Sequence, residues 1–237
     1  YRTFSNGLWG ESQNAGTTPI LRAIPRTIVF SPNHASDFLV LVGGGSGAFR
    51  SIDGGATWSD ANSGITYTDV ASFGFSPAFA ADGTVFAGTA GGSVFKSVNG
   101  GESWTPSNSG ITDGTINAVA VSSSFATDRT LLVGTAGGIF KSTDGGATWK
   151  GTQSGNFVGL ALSPEFGSDR YAFAITGGPG GQVFGSSDGG ETWSALGPSL
   201  DSDMPTTIAV SPNYRSDRNV FVGTSNYGLW VYQGTPS

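Results

Sequence analysis

Apolar positions along the chain fall into short runs of alternating small and branched residues, separated by glycine-rich links, and no stretch of ten residues carries a helical stripe. The pattern predicts an all-β protein. The runs also repeat. Five times an apolar strand ends in Ser-Pro or a variant of it, a short turn closes on aspartate, and another apolar strand follows. The turns are FSPNHASD to Asp37, FSPAFAAD to Asp82, VSSSFATD to Asp128, LSPEFGSD to Asp169 and VSPNYRSD to Asp217. Five turns predict five units.

An eight-residue box of the form S-x-D/N-G-G-x-T/S-W forms a second series in step with the first. Its informative positions are Ser51, Asp53, Gly55, Thr57 and Trp58 in the first copy, and Ser97, Asn99, Gly101, Ser103 and Trp104 in the second. They are Ser142, Asp144, Gly146, Thr148 and Trp149 in the third copy, and Ser186, Asp188, Gly190, Thr192 and Trp193 in the fourth. Spacings between Asp53, Asn99, Asp144 and Asp188 are 46, 45 and 44 residues. Each unit reads as four short strands joined by hairpin turns, for example Asn117 to Val121, Thr130 to Thr135, Ile139 to Ser142 and Ala147 to Lys150. A four-stranded unit of this size is one propeller blade, and stacking of neighbours around an axis supplies the core that an isolated sheet lacks.

Turns outnumber boxes by one, and the two ends of the chain account for the difference. The last unit runs to a third strand, Gly228 to Tyr232, with no box after it. Trp9 lies 22 residues before Ser31, where Trp58, Trp104 and Trp193 each lie 18 before the matching serine and Trp149 lies 14 before Ser163. The expectation is one domain over 1–237, a five-bladed propeller whose segment Arg2 to Trp9 completes the last blade and closes the ring, hiding a sheet edge. The blades fall near 20–60, 66–106, 113–152, 156–196 and 205–232 plus 2–9.

Composition narrows the chemistry. With 17 acids against 11 bases the net charge is −6, which repels nucleic-acid backbones and anionic lipid surfaces. No apolar run approaches the length that crosses a bilayer, so neither nucleic acid nor membrane insertion is expected. Cysteine is absent, and the one histidine, His34, occupies the place that Phe79, Phe125, Phe166 and Tyr214 hold in the other turns. It reads as an aromatic turn plug. No metal or cofactor is expected. Sparse lysines and a surface rich in Ser, Thr, Gly and Asn suggest a secreted or cell-surface bacterial protein, with no leader visible at the start.

Within the box, an aspartate followed by two glycines is a turn signal. The carboxylate accepts local N–H groups, the glycines take positive φ, the hydroxyls add hydrogen bonds, and the tryptophan offers a large face for packing between blades. Asn99 keeps the hydrogen bonds while dropping the charge that a calcium site would rely on. These four motifs resemble the Asp-box, or BNR-repeat, β-propeller superfamily. It includes sialidases, xyloglucan-cleaving glycosidases, sortilin-type receptor domains and photosystem assembly factors. The resemblance implies that the box is a fold element between the third and fourth strands, away from the functional face. Sialidases also need three clustered arginines, a tyrosine nucleophile with a partner glutamate, and usually six blades. Here Arg129, Arg170, Arg215 and Arg218 sit in the repeated turns, and Arg22 and Arg26 alone fall near the other rim.

Non-repeating residues gather in the loops that lead from each outer strand to the next inner strand, and in the loops between second and third strands. They are Tyr67, Asp69, Asp113, Asn117, Asn156, Phe157, Asp201, Asp203 and Tyr227, with Met204 and Asn226 beside them. This mildly acidic, aromatic-dotted rim is the candidate ligand site. Two rim carboxylates at suitable separation could run glycoside hydrolysis, and the aromatics could stack on sugars or on a peptide. The reading adopted is a non-catalytic protein-interaction, assembly or structural module that is monomeric by default. A strand-exchanged assembly, a carbohydrate-binding module and a glycoside hydrolase are the alternatives.

Overall fold

The computed structural model describes residues 2–3, 9–10, 24–200, 203–226 and 228–234. Among them, four sheets have four antiparallel strands and a fifth has three. The first sheet contains Pro25–Phe30, Val40–Gly44, Gly47–Ser51 and Ser59–Asp60. In the second sheet the strands are Val70–Phe75, Val85–Thr89, Val94–Ser97 and Thr105–Pro106. The third is built from Ile116–Val121, Leu131–Thr135, Gly138–Ser142 and Lys150–Ser154. Phe157–Leu162, Ala172–Thr176, Val183–Ser186 and Ser194–Ala195 form the fourth, and Pro205–Val210, Asn219–Thr224 and Leu229–Gln233 the fifth. Each inner strand packs on the inner strand of the next sheet, from the first through to the fifth.

The turn between the first two strands of every sheet is a single helical turn, from His34–Asp37 through Tyr214–Asp217. Serine and aspartate lock it from both ends. Ser31 Oγ donates to Asp37 Oδ2 at 2.5 Å and accepts from the N–H of Asn33, while Asp37 Oδ1 accepts from the N–H of Leu39. Ser76–Asp82, Ser122–Asp128, Ser163–Asp169 and Ser211–Asp217 repeat the pair. His34 stands edge-on to Phe30 at 4.9 Å between centroids but is only half-buried, whereas Phe79, Phe125, Phe166 and Tyr214 are buried at the same position of their turns.

Packing between sheets comes from alternation. On each second strand one residue faces forward, namely Leu41, Phe86, Leu132 or Phe173, and it meets backward-facing residues of the next inner strand. Those residues are Phe73 with Phe75, Val119 with Val121, Leu160 with Leu162, and Ile208 with Val210. Lys and Arg positions before the boxes reach across the same seam. Arg50 Nε donates to the carbonyl of Gly100 at 2.9 Å, Lys96 Nζ to that of Gly145 at 3.0 Å, and buried Lys141 pairs with Glu191 at 2.7 Å.

One expectation needs correction. The outer strand of the third sheet is Lys150–Ser154 rather than Ala147 to Lys150, because Asp144 holds the N–H of Thr148 inside the box turn and the ladder starts only after Trp149. The expected closing segment, Arg2 to Trp9, lies for the most part outside the described residues; of it Arg2–Thr3 is paired with Trp9–Gly10, and among the described residues no strand lies outside Leu229–Gln233.

Candidate functional site

The rim is made by the starts of the inner strands, and one feature recurs there. Every inner strand carries a β-bulge between its first and third residues: Pro25/Thr27, Val70/Ser72, Ile116/Ala118, Phe157/Gly159 and Pro205/Thr207. A bulge bends the strand and re-aims the extra side chain. At two of the five positions that side chain crosses to the next sheet. Arg26 forms an ion pair with Asp69 at 3.0 Å, and Asn117 Nδ2 donates to the carbonyl of Phe157 at 2.9 Å.

Each described rim acid already has a structural partner. Asp69 meets Arg26 while its backbone carbonyl accepts from Ala90. Asp113 accepts the N–H groups of Gly114, at 2.7 Å, and of Gly137 in the facing hairpin. A hydrogen bond from Thr135 and these N–H groups hold its carboxyl below the usual carboxylate range against the upward push of burial. Asp203 is fully buried. Oδ1 accepts from the N–H groups of Met204 at 2.9 Å and Asn226 at 3.1 Å, tying two rim loops together. Burial pushes its pKa upward, yet hydrogen bonds from Thr224, from those two N–H groups and from Trp230 outweigh that, and the net shift is downward. Both Asp113 and Asp203 therefore stay ionised, the opposite of what a general acid in glycoside hydrolysis needs.

Placement of the aromatics differs from expectation. Tyr67 is half exposed and lies over Gly91, where a side chain would collide with the ring. Phe157 is fully buried against Ile139, Ala174 and Phe184, so it is a core residue and not a ligand contact. As the first residue of its strand, it points inward where the bulge turns the chain. Asn156 is exposed and accepts from the N–H of Gly177 through its backbone. Tyr227 and Asp201 lie outside the described residues. Met204, beside the candidate rim residues, and Ile24, which the sequence pattern did not single out, add exposed apolar surface. The structure thus links rim residues in neighbouring pairs, Arg26 with Asp69 and Asn117 with Phe157, without drawing the acids to one point.

Two grooves lie away from these loops. One of about 450 Å³ runs between the helical turns of the fourth and fifth sheets, lined by Pro164, Glu165, Pro212, Asn213 and Arg215. The other, of about 270 Å³, separates the outer parts of the same two sheets and is lined by Tyr171, Phe173, Leu196, Tyr214, Arg218 and Tyr232. At the equivalent seams the box tryptophans take this place. Trp104 Nε1 donates to the carbonyl of Ala61 and Trp149 Nε1 to that of Ser107, each three residues beyond the preceding tryptophan. Among the described residues no group of three or more acidic or histidine side chains gathers as a cation site would require.

The boxes themselves are hydrogen-bonded turns. Ser51 Oγ donates to Asp53 Oδ1 at 2.8 Å and accepts from the N–H of Gly55 at 2.8 Å. Thr57 donates its N–H to Asp53 Oδ1 and its hydroxyl to Oδ2. Hydrogen bonds from Thr57 lower the Asp53 pKa to about 2, and Asp144 also falls to about 2 because the same set of bonds exceeds the effect of burial. Asn99 keeps the arrangement, accepting from Ser97 Oγ and the Ser103 N–H and donating to Ser103 Oγ at 2.9 Å.

No protein-family model and no curated protein sequence matches the chain. Solved structures do. An ancestral GH74 enzyme superposes with a TM-score of 0.72 at 21% identity, covering 87% of this chain and 30% of that one. YCF48 bound to D1 peptide gives 0.62 at 14% identity over 88% and 63%, and YCF48 from Cyanidioschyzon merolae gives 0.59 at 19% over 92% and 71%. These likenesses establish a β-propeller fold. The chain spans about a third of the GH74 enzyme's length.

Proposed function

We propose that this protein is a non-catalytic Asp-box β-propeller module that receives a peptide or an extended protein segment on its rim. One observation carries the reading. The described rim carboxylates each tie loops together, Asp69 Oδ2 through Arg26, Asp113 through Gly137, and Asp203 Oδ1 through Met204 and Asn226, while Asp69 Oδ1 and Asp203 Oδ2 are buried without a hydrogen-bond partner, so no carboxylate is presented to solvent for a substrate by both oxygens. Tyr67, Ile24 and Met204 leave apolar surface around them, in the open form that suits a protein partner more than an enclosed small molecule. The peptide-bound YCF48 structure supports the same reading, since a protein of similar fold holds a peptide. The Ser-, Thr- and Gly-rich composition extends the proposal to an extracellular or cell-surface setting.

The GH74 likeness favours a second reading, glycan recognition or hydrolysis, and one experiment separates the two. Immobilised protein is presented to a peptide array and a glycan array. Peptide capture that Tyr67→Ala with Met204→Ala reduces at least tenfold, with the melting temperature unchanged, is the expected result. Capture of glycans alone, lost in the same variant, would replace the interaction reading with a carbohydrate-binding one.

A further inference from the structure

Among the described residues Asn99–Gly100 is the one Asn-Gly step, and it stands where the other boxes have Asp53, Asp144 and Asp188 followed by glycine. Its chemistry sets it apart. A glycine has no Cβ to shield its amide nitrogen, so that nitrogen can attack the carboxamide of a preceding asparagine. In this step the Gly100 nitrogen forms a bond to Asn99 Cγ, the Cγ–Nδ2 bond breaks, and ammonia leaves a cyclic imide. Water then opens the ring at either of its carbonyls and yields aspartate or isoaspartate. Water is the only co-reactant.

The folded turn holds both reacting groups off this path. Gly100 is buried, and its N–H donates at 3.0 Å to the carbonyl of Gly83, the residue that caps the helical turn of the same sheet. Three bonds pin the carboxamide: Oδ1 accepts from Ser97 Oγ at 2.8 Å and from the Ser103 N–H at 3.1 Å, and Nδ2 donates to Ser103 Oγ at 2.9 Å. The same lock recurs in the other boxes, where the N–H groups of Gly54, Gly145 and Gly189 donate to the carbonyls of Phe38, Arg129 and Arg170. Asn99 itself is exposed, so geometry rather than exclusion of water restrains the reaction.

We propose that Asn99 is a deamidation site that the folded box keeps closed and that opening of its turn releases. The two products have opposite fates. Aspartate at this position recovers the bonds that Asp53 makes, with the Ser103 N–H donating to one oxygen and its hydroxyl to the other, as Thr57 does in the first box. Isoaspartate inserts an extra methylene into the main chain ahead of Gly100 and moves the Gly100 N–H off the Gly83 carbonyl. The second box thus records the opening of its turn as a covalent change. One outcome converts it to the form of the other three boxes, and the other breaks it.

Peptide mapping by mass spectrometry, with aspartyl and isoaspartyl forms separated, tests this on the whole chain in mildly alkaline buffer, folded and in guanidinium chloride. Conversion at Asn99 should be slower in the folded chain by roughly tenfold or more, because only the opened fraction reacts. Ser103→Ala removes the acceptor of Nδ2 and should speed conversion of the folded chain severalfold. Asn99→Asp stands for the aspartyl product and should melt no lower than wild type near neutral pH. Conversion as fast in the folded chain as in the denatured one would overturn the proposal. So would a denatured chain that does not convert at Asn99, or a folded Ser103→Ala chain that converts no faster than wild type. A lower melting temperature for Asn99→Asp would overturn the fate assigned to the aspartyl product.

Discussion

At the scale of single residues, two polar devices explain most of the recurring sequence. Ser with Asp six residues later fixes the helical turn, and Ser with Asp or Asn two residues later fixes the box. Asp144→Ala removes the acceptor for Ser142 Oγ, the Thr148 N–H and the Thr148 hydroxyl. The expected loss is about 1 to 2 kcal/mol by denaturant titration, with no change in peptide capture by the distant rim. Folded Asp53 and Asp144 lie at about 2 against an ordinary 3.8. A carboxylate whose folded pKa is depressed stabilises above the unfolded value and loses that contribution as pH falls through the folded one. Melting temperature should thus hold level down to about pH 5 and decline toward about pH 2, while a profile level to the acid end would show that these bonds do not need the charge. Box residues were legible in the sequence because their partners are two to four residues away. The roles of Asp203 and Phe157 were not, since burial of a loop residue depends on bulges and on neighbouring sheets that no local pattern encodes.

At the scale of strands and sheets, the runs read as Asn117 to Val121, Thr130 to Thr135, Ile139 to Ser142 and Gly228 to Tyr232 lie close to the strands Ile116–Val121, Leu131–Thr135, Gly138–Ser142 and Leu229–Gln233. The bulges escaped, although they decide where Arg26 and Asn117 point. The outer strand read as Ala147 to Lys150 begins only at Lys150, after the box, whose tryptophan belongs to the seam between sheets more than to a ladder. Trp149 is buried and donates to the Ser107 carbonyl at 2.7 Å in the preceding sheet. Trp149→Ala should cost about 3 to 5 kcal/mol by chemical denaturation. Trp58→Ala should cost distinctly less, because its indole bonds only within its own box. Equal losses would contradict the account of the seam.

At the scale of the whole molecule, the sequence conveys the β-propeller class and the count of turns, but how the ends meet depends on long-range pairing, and the expected closing segment lies mostly outside the described residues. The proposed interaction rests on the rim, where the described acids are bonded into the fold. The most direct test is release of reducing sugar from xyloglucan and common β-glucans by wild type, Asp113→Asn and Asp203→Asn, each shown to be folded by circular dichroism. No release above the uncatalysed rate from any of the three is the predicted result. Turnover by wild type that disappears in either folded variant would show that a rim carboxylate performs chemistry and would contradict the interaction-module account.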